Sequence, residues 1–158
     1  MTILATASNV NQTRRTFMIG SSAAVLTLVA TPAIATPETM AAAIRNAFGD
    51  TPIKEGKVSV TLPDLTENGN SVKLSVEVDC AMTESDHVRS IHVFSEKNPL
   101  PDVATFYLNA HSGRARVTTR IRLADSQSIV AVATMSDGTL WRGSAKSIVT
   151  LAACVNLI

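Results

Sequence analysis

The chain has 158 residues, of which 46% are hydrophobic and 17% charged, and its formal charge is +1. That balance suits one packed domain and excludes a disordered chain. All 13 acidic residues follow Ala35, against 12 of the 14 basic ones, so the remainder is nearly neutral and carries no bulk-charge footprint for nucleic acid or a membrane surface.

The first 35 residues read as an address. Thr13-Arg14-Arg15-Thr16-Phe17-Met18 holds a twin-arginine pair, an apolar stretch runs from Met18 to about Ala30, and Ala33-Ile34-Ala35 supplies a small-x-small cleavage pattern. Ser21, Ser22 and Thr27 interrupt the apolar run, which is shorter than the ~20 residues a membrane span needs. The expectation is a Tat-type signal over residues 1–35, cleaved after about Ala35, and a periplasmic mature chain. The Tat route moves folded proteins, and a small chain with no visible metal or cofactor site hardly needs it alone. Export in the grip of a partner that lacks its own signal would explain it.

Residues 36–150 predict a single domain. Thr36-Pro37-Glu38 is a helix start, with a hydroxyl at the N-cap, Pro at the first helical position and an acid in the first turn. Met40, Ile44, Ala47 and Phe48 share one face, and Gly49 stops the helix. Alternation then takes over. Val58, Val60 and Leu62 form one strand, and Val72, Leu74, Val76 and Val78 form a half-buried second one, with the turn signal Glu67-Asn68-Gly69-Asn70 between them. Further strands are predicted at Val88–Phe94, Thr105–Leu108, Ala115–Leu123 and Ser128–Met135, and from Lys146 onward. Ile129–Ala133 is apolar throughout, as for a strand covered on both faces. Short strands with regular turns predict an all-β, immunoglobulin-like two-sheet antiparallel sandwich with a short N-terminal helix.

A set of stretches in register resembles the SoxY family. Leu65-Thr66-Glu67-Asn68-Gly69-Asn70 matches its early turn, and Val78-Asp79-Cys80-Ala81-Met82-Thr83 a segment that relatives usually write with Ser at the Cys80 position. Glu96-Lys97-Asn98-Pro99-Leu100-Pro101, Gly113-Arg114-Ala115-Arg116, Thr119-Arg120-Ile121-Arg122-Leu123-Ala124 and Met135-Ser136-Asp137-Gly138 follow in family order. The resemblance covers roughly Phe48 to Thr150. It implies a non-enzymatic carrier without a cofactor, paired as a heterodimer with a SoxZ-like subunit. A cysteine near the C-terminus would hold the sulfur substrate covalently while other periplasmic Sox enzymes oxidise and hydrolyse it. Cys154 stands in that place. The family's arm reads Gly-Gly-Cys-Gly-Gly, whereas Leu151-Ala152-Ala153-Cys154-Val155-Asn156-Leu157-Ile158 has none of its glycines.

With Thr150 as the last fixed residue, four extended residues give Cys154 a reach of roughly 13–14 Å. Ala152 and Ala153 keep the slim profile of glycine and lose some of its rotation. The alternation of Leu151, Ala153, Val155 and Leu157 equally fits a last strand that continues, with Cys154 an inert strand residue. The chain would then be a carrier-inactive binding or structural subunit with the same partner. Cys80 reads as a small, partly buried residue, and a bridge between Cys80 and Cys154 would block the carrier role while it lasted.

Arg116, Arg120 and Arg122 share one strand face. An anionic substrate or an acidic partner fits such a ridge, and the resemblance implies partner docking rather than substrate, because the family's substrate rides on the cysteine. A solvated face with acids on the neighbouring strand also fits. His87, His92 and His111 with Asp86 lack the nucleophile elbow of a hydrolytic triad. No Cys or His pair has zinc spacing, and too few residues follow Cys154 for the usual copper ligands.

Overall fold

The computed structural model describes residues 36–151; the expected signal segment and the residues after Leu151, Cys154 among them, lie outside the described residues. The helix α1 (Pro37–Phe48) begins where the sequence signals it. The Thr39 amide donates to the Thr36 hydroxyl and the Thr36 amide to the Thr39 hydroxyl, a reciprocal cap that satisfies two donors the helix itself cannot. At the other end Gly49 takes φ 64° and its amide donates to Arg45.

Nine strands follow among the described residues: β1 (Ile53–Glu55), β2 (Val58–Thr61), β3 (Leu65–Thr66), β4 (Val72–Val78), β5 (Val88–Ser95), β6 (Asp102–Tyr107), β7 (Arg116–Ile121), β8 (Gln127–Met135) and β9 (Leu140–Val149). They form two sheets. One runs β1-β9-β8-β5-β6, with β3 added to β9; the other is β2-β4-β7. The long pairings are antiparallel, whereas β1 and β3 add to β9 in parallel, at Leu140–Arg142 and at Ile148–Val149. The sandwich is the expected one.

The core between the sheets gathers Leu74, Val76, Val88, Ile91, Val93, Leu123, Ile129, Ala131 and Ala133, each at most 1% exposed. A second cluster lies on the outer face of the larger sheet, where Met40, Ala43, Ile44 and Phe48 of α1 cover Phe94, Val130, Val132 and Leu140. These half-buried helix side chains contribute on the order of 1 kcal/mol each. They also explain the unbroken apolar run Ile129–Ala133, buried at every position because the second sheet covers one face of β8 and α1 the other. Ala47, expected on the packing face, stays exposed, and Ala43 packs instead.

One close approach sets where the two sheets meet. Between β1 and β3 the chain crosses to the smaller sheet as β2, and the Val58 carbonyl group comes down on Gly143 of β9. A Cβ at position 143 would collide with that carbonyl oxygen and lie 2.9 Å from its carbon. Only glycine leaves the room.

Candidate functional site

The turn Leu65–Asn70, expected only to join two strands, grips the end of the described chain. The Thr150 amide donates to the Thr66 carbonyl at 3.1 Å, the Thr150 hydroxyl to the Glu67 carbonyl at 3.4 Å, and the buried Gly69 amide to the Leu151 carbonyl at 2.9 Å. The turn is itself braced. Asn68 accepts the Asn70 amide through its side chain at 2.9 Å, and Gly69 accepts the Leu123 amide at 2.8 Å. Just upstream, the Ser147 hydroxyl donates to the Pro63 carbonyl at 2.7 Å and the Ile148 amide to the Asp64 carbonyl at 2.8 Å. The backbone is therefore held through Leu151, one residue further than the sequence reading assumed. Leu65, Ile148 and Leu151 expose their side chains beside this root. Three residues on, Cys154 is no more than about 10–11 Å of extended chain from Leu151.

The second feature is the arginine row on β7. Burial alternates along the strand, and Arg116, Thr118, Arg120 and Arg122 are the exposed set. Arg116 faces its cross-strand neighbour Glu77 at 4.0 Å, a half-exposed pair that contributes little. Arg120 lies opposite Lys73 instead, and its guanidinium donates to the Ser71 carbonyl and hydroxyl at 3.1 and 3.3 Å. Arg122 and Arg120 border a cavity of about 440 Å³ between β7 and β6, walled by Thr119 and Ile121 on one side and by Asp102, Val103 and Ala104 on the other, with Asn98 and the exposed Leu100 at its end. So the ridge divides: Arg116 has an acid beside it, while Arg120 and Arg122 have none at ion-pair distance among the described residues.

Cys80 lies just past β4, half-buried, with a free thiol whose Sγ donates to the Asp86 carbonyl at 3.4 Å. The surrounding segment is structural. Met82, at φ 53°, buries its side chain under the Val88 amide, and Thr83 exchanges bonds with Asp86. The histidines serve separate ends. His87 Nδ1 lies 3.1 Å from the Thr83 carbonyl oxygen, and His111 sits in the short 3₁₀ turn Ala110–Ser112. His92 packs edge-on against Phe48 and stacks along Phe94, with Nδ1 3.1 Å from the Thr105 hydroxyl. Burial holds its pKa below the usual 6.5, a shift opposed by the Asp102 carboxylate. Among the described residues no three His, Cys, Asp or Glu side chains converge as a metal site.

Sequence reasoning missed Asn98. Its side-chain amide donates to the Arg122 carbonyl at 2.9 Å while its oxygen accepts the Ala124 amide at 3.0 Å and the Gln127 side chain at 2.8 Å. It thereby acts as a one-residue strand that ends the free edge of β7. The signal was present in Asn98-Pro99-Leu100-Pro101, which reads from sequence as a plain turn.

A search of the curated proteins finds no match. Among solved structures, the fold is similar to that of the sulfur carrier protein SoxY from Chlorobium limicola f thiosulfatophilum, with a TM-score of 0.60 and 27% identity over 72% of this chain and 98% of that one. It is also similar to superoxide reductase (neelaredoxin) from Ignicoccus hospitalis, with a TM-score of 0.52 over 73% of this chain and 94% of that one; at 17% identity this likeness is one of fold alone. The family profile for sulfur oxidation protein SoxY matches residues 44–154, well over half of the chain, and the chain belongs to the SoxY family.

Proposed function

We propose that this protein is a covalent sulfur carrier of the periplasm, exported through its Tat-type signal, with Cys154 as the attachment point and a SoxZ-like subunit as its partner. The observation that carries the reading is where the family match ends: it runs through residue 154, and Cys154 is its last residue. The root of the arm supports it, because the backbone is fastened up to Leu151 and the thiol follows three residues later. The similar Chlorobium protein is a sulfur carrier by name.

In this reading the chain supplies a thiol and no catalytic group. Joining the Cys154 thiolate to the outer sulfur of thiosulfate forms one S–S bond and releases two electrons, which an electron-accepting oxidoreductase of the same system takes up. Hydrolysis of that adduct consumes one water, releases sulfate and two protons, and leaves a persulfide on Cys154. Each step belongs to another enzyme, whose active site the arm must enter. Ala152 and Ala153 keep the approach slim.

The test is mass spectrometry of the chain purified with its partner from cells oxidising thiosulfate. The expected result is a Cys154 peptide carrying sulfur or thiosulfonate adducts, and loss of thiosulfate-dependent growth in a Cys154→Ser strain. Unmodified Cys154 in every preparation, with normal growth of that strain, would leave the chain a binding subunit without carrier chemistry.

A further inference from the structure

The smaller sheet ends in an open edge. Among the described residues β7 is its last strand, bonded to β4 on one side and to no strand on the other. The direction of its backbone groups follows from the bonds it makes. Ala115 accepts the Val78 amide and Leu123 donates to Gly69, so the odd-numbered residues point their N–H and C=O toward the β4 side. By alternation Arg116, Thr118 and Arg120 point theirs to the open edge. The Asn98 side chain satisfies the next such groups, at Arg122 and Ala124, and nothing among the described residues does so for the three before them.

These residues also carry the exposed side chains of the strand, so one row presents unpaired backbone and positive charge together. A second copy of this chain is a poor fit. Two β7 strands paired antiparallel about a two-fold axis would set arginine rows face to face, the like-charge repulsion that protects sheet edges from self-pairing. The same charges favour an acidic strand. Arg120 donates to Ser71 on the β4 side, so its guanidinium swings from there to meet an incoming carboxylate, whereas Arg122 has no such bond among the described residues. Beside the edge lies the cavity over Ile121, Val103 and Leu100, which takes one apolar side chain of an incoming segment.

We propose that an extended, acidic segment of the partner subunit adds to the free edge of β7 as a fourth strand of the smaller sheet, its carboxylates meeting Arg120 and Arg122 and one apolar side chain filling the cavity against β6. This rests on the heterodimer reading above and specifies how the partner is held. It also separates Arg116, already facing Glu77, from the two arginines that recognise the partner.

Hydrogen exchange on the intact heterodimer, compared with the unpaired chain, tests it. The Thr118 and Arg120 amides are expected to slow at least about tenfold on association, while the β9 amides are unchanged. Replacing Arg120→Glu and Arg122→Glu together is expected to weaken partner affinity by about 30-fold or more, with Lys146→Glu on the other sheet within about threefold. Both arginines are exposed, and an unchanged melting temperature shows that the double variant folds. A complex that forms with β7 amides still exchanging at the free rate overturns the inference and leaves the heterodimer standing. Binding by the double variant as tight as the parent's does the same, and so does concentration-dependent protection of β7 in the chain alone, which would mark self-pairing. Failure of the two subunits to associate at any salt concentration overturns the heterodimer and this inference together.

Discussion

The amide of Gly69 donates to the carbonyl of Leu151 at 2.9 Å, and the carbonyl of Gly69 accepts from Leu123 at 2.8 Å. One buried glycine thus ties the last described residue to the strand that carries the arginine row. The family's early turn is in this way the socket of the C-terminal arm, and the arm starts from a fixed point on the sandwich. In the carrier role proposed above, a fixed root of this kind would leave only the residues between Leu151 and Cys154 to place the thiol.

Loosening the socket should show in the thiol. Thr150→Pro deletes the amide that donates to Thr66 and is expected to cost about 0.5–1.5 kcal/mol. Cys154 should then react severalfold faster with iodoacetamide in the folded heterodimer. An alkylation rate equal to the parent's, despite a lowered melting temperature, would show that the socket does not govern access.

The elements legible in the sequence are those written in local pattern. Thr36-Pro37-Glu38 and Gly49 mark both ends of α1, and the alternation of Val72–Val78 gives β4 to the residue. The strand expected from Lys146 begins at Leu140. Its inward positions there are Trp141, Gly143 and Ala145, and the glycine breaks the apolar period because Val58 crosses above it, a fact of tertiary structure. β1 and β3 were not foreseen, since runs of three and two residues owe their strand character to β9 alone. The site divides the same way. Parity put Arg116, Arg120 and Arg122 on one face, but that β7 is an edge, and that Glu77 reaches only the first of them, depends on which strands became neighbours.

Gly143→Ala should be among the most damaging small substitutions in the domain. The added Cβ meets backbone, the Val58 carbonyl, and also lies 3.3 Å from the Val58 Cβ, so no side-chain rotation relieves it. The expected cost is about 1–3 kcal/mol, read as a fall in urea midpoint at constant slope. Gly138→Ala meets nothing within 4 Å and carries only the strain of φ 82°, about 1 kcal/mol. A Gly143→Ala protein as stable as the Gly138→Ala protein would contradict the close approach of β2 and β9.

Mild acid should weaken the packing of α1. His92 sits between Phe48 and Phe94, and burial lowers its pKa from 6.5, so the folded state binds fewer protons than the unfolded one as the pH drops below that value. The contribution is complete above about pH 6.5 and declines as the pH falls toward the folded pKa. Asp125, whose pKa is lowered by the Lys97 ammonium, and Asp137, lowered by the Thr139 amide, lose their contributions only near and below the carboxylate range, so the two windows separate. Chemical denaturation at pH 7.5 and 5.5 should show a loss in the parent and a smaller one in His92→Gln. Equal losses in both would remove His92 as the cause.

Cys80 and Cys154 of one chain should form no disulfide while the domain is folded. Along β7, the residue beside Gly69 is Leu123 and the residue beside Val78 is Ala115. The eight steps between them span about 26 Å of extended strand, and Cys80 lies beyond Val78. The arm is rooted at the opposite end. Adding about 5 Å from Gly69 to Leu151, at most about 10–11 Å from there to Cys154 and about 7 Å across a disulfide gives roughly 23 Å, which falls short. Mild oxidation of the purified chain, followed by non-reducing peptide mapping, should therefore yield only intermolecular disulfides, lost in Cys154→Ser. Cys80→Ser, which keeps a donor for the Asp86 carbonyl, should shift stability by less than about 1 kcal/mol and leave that pattern unchanged. An intramolecular Cys80–Cys154 peptide from folded monomer would mean that the Leu151 tether opens and the end of β9 peels away with it.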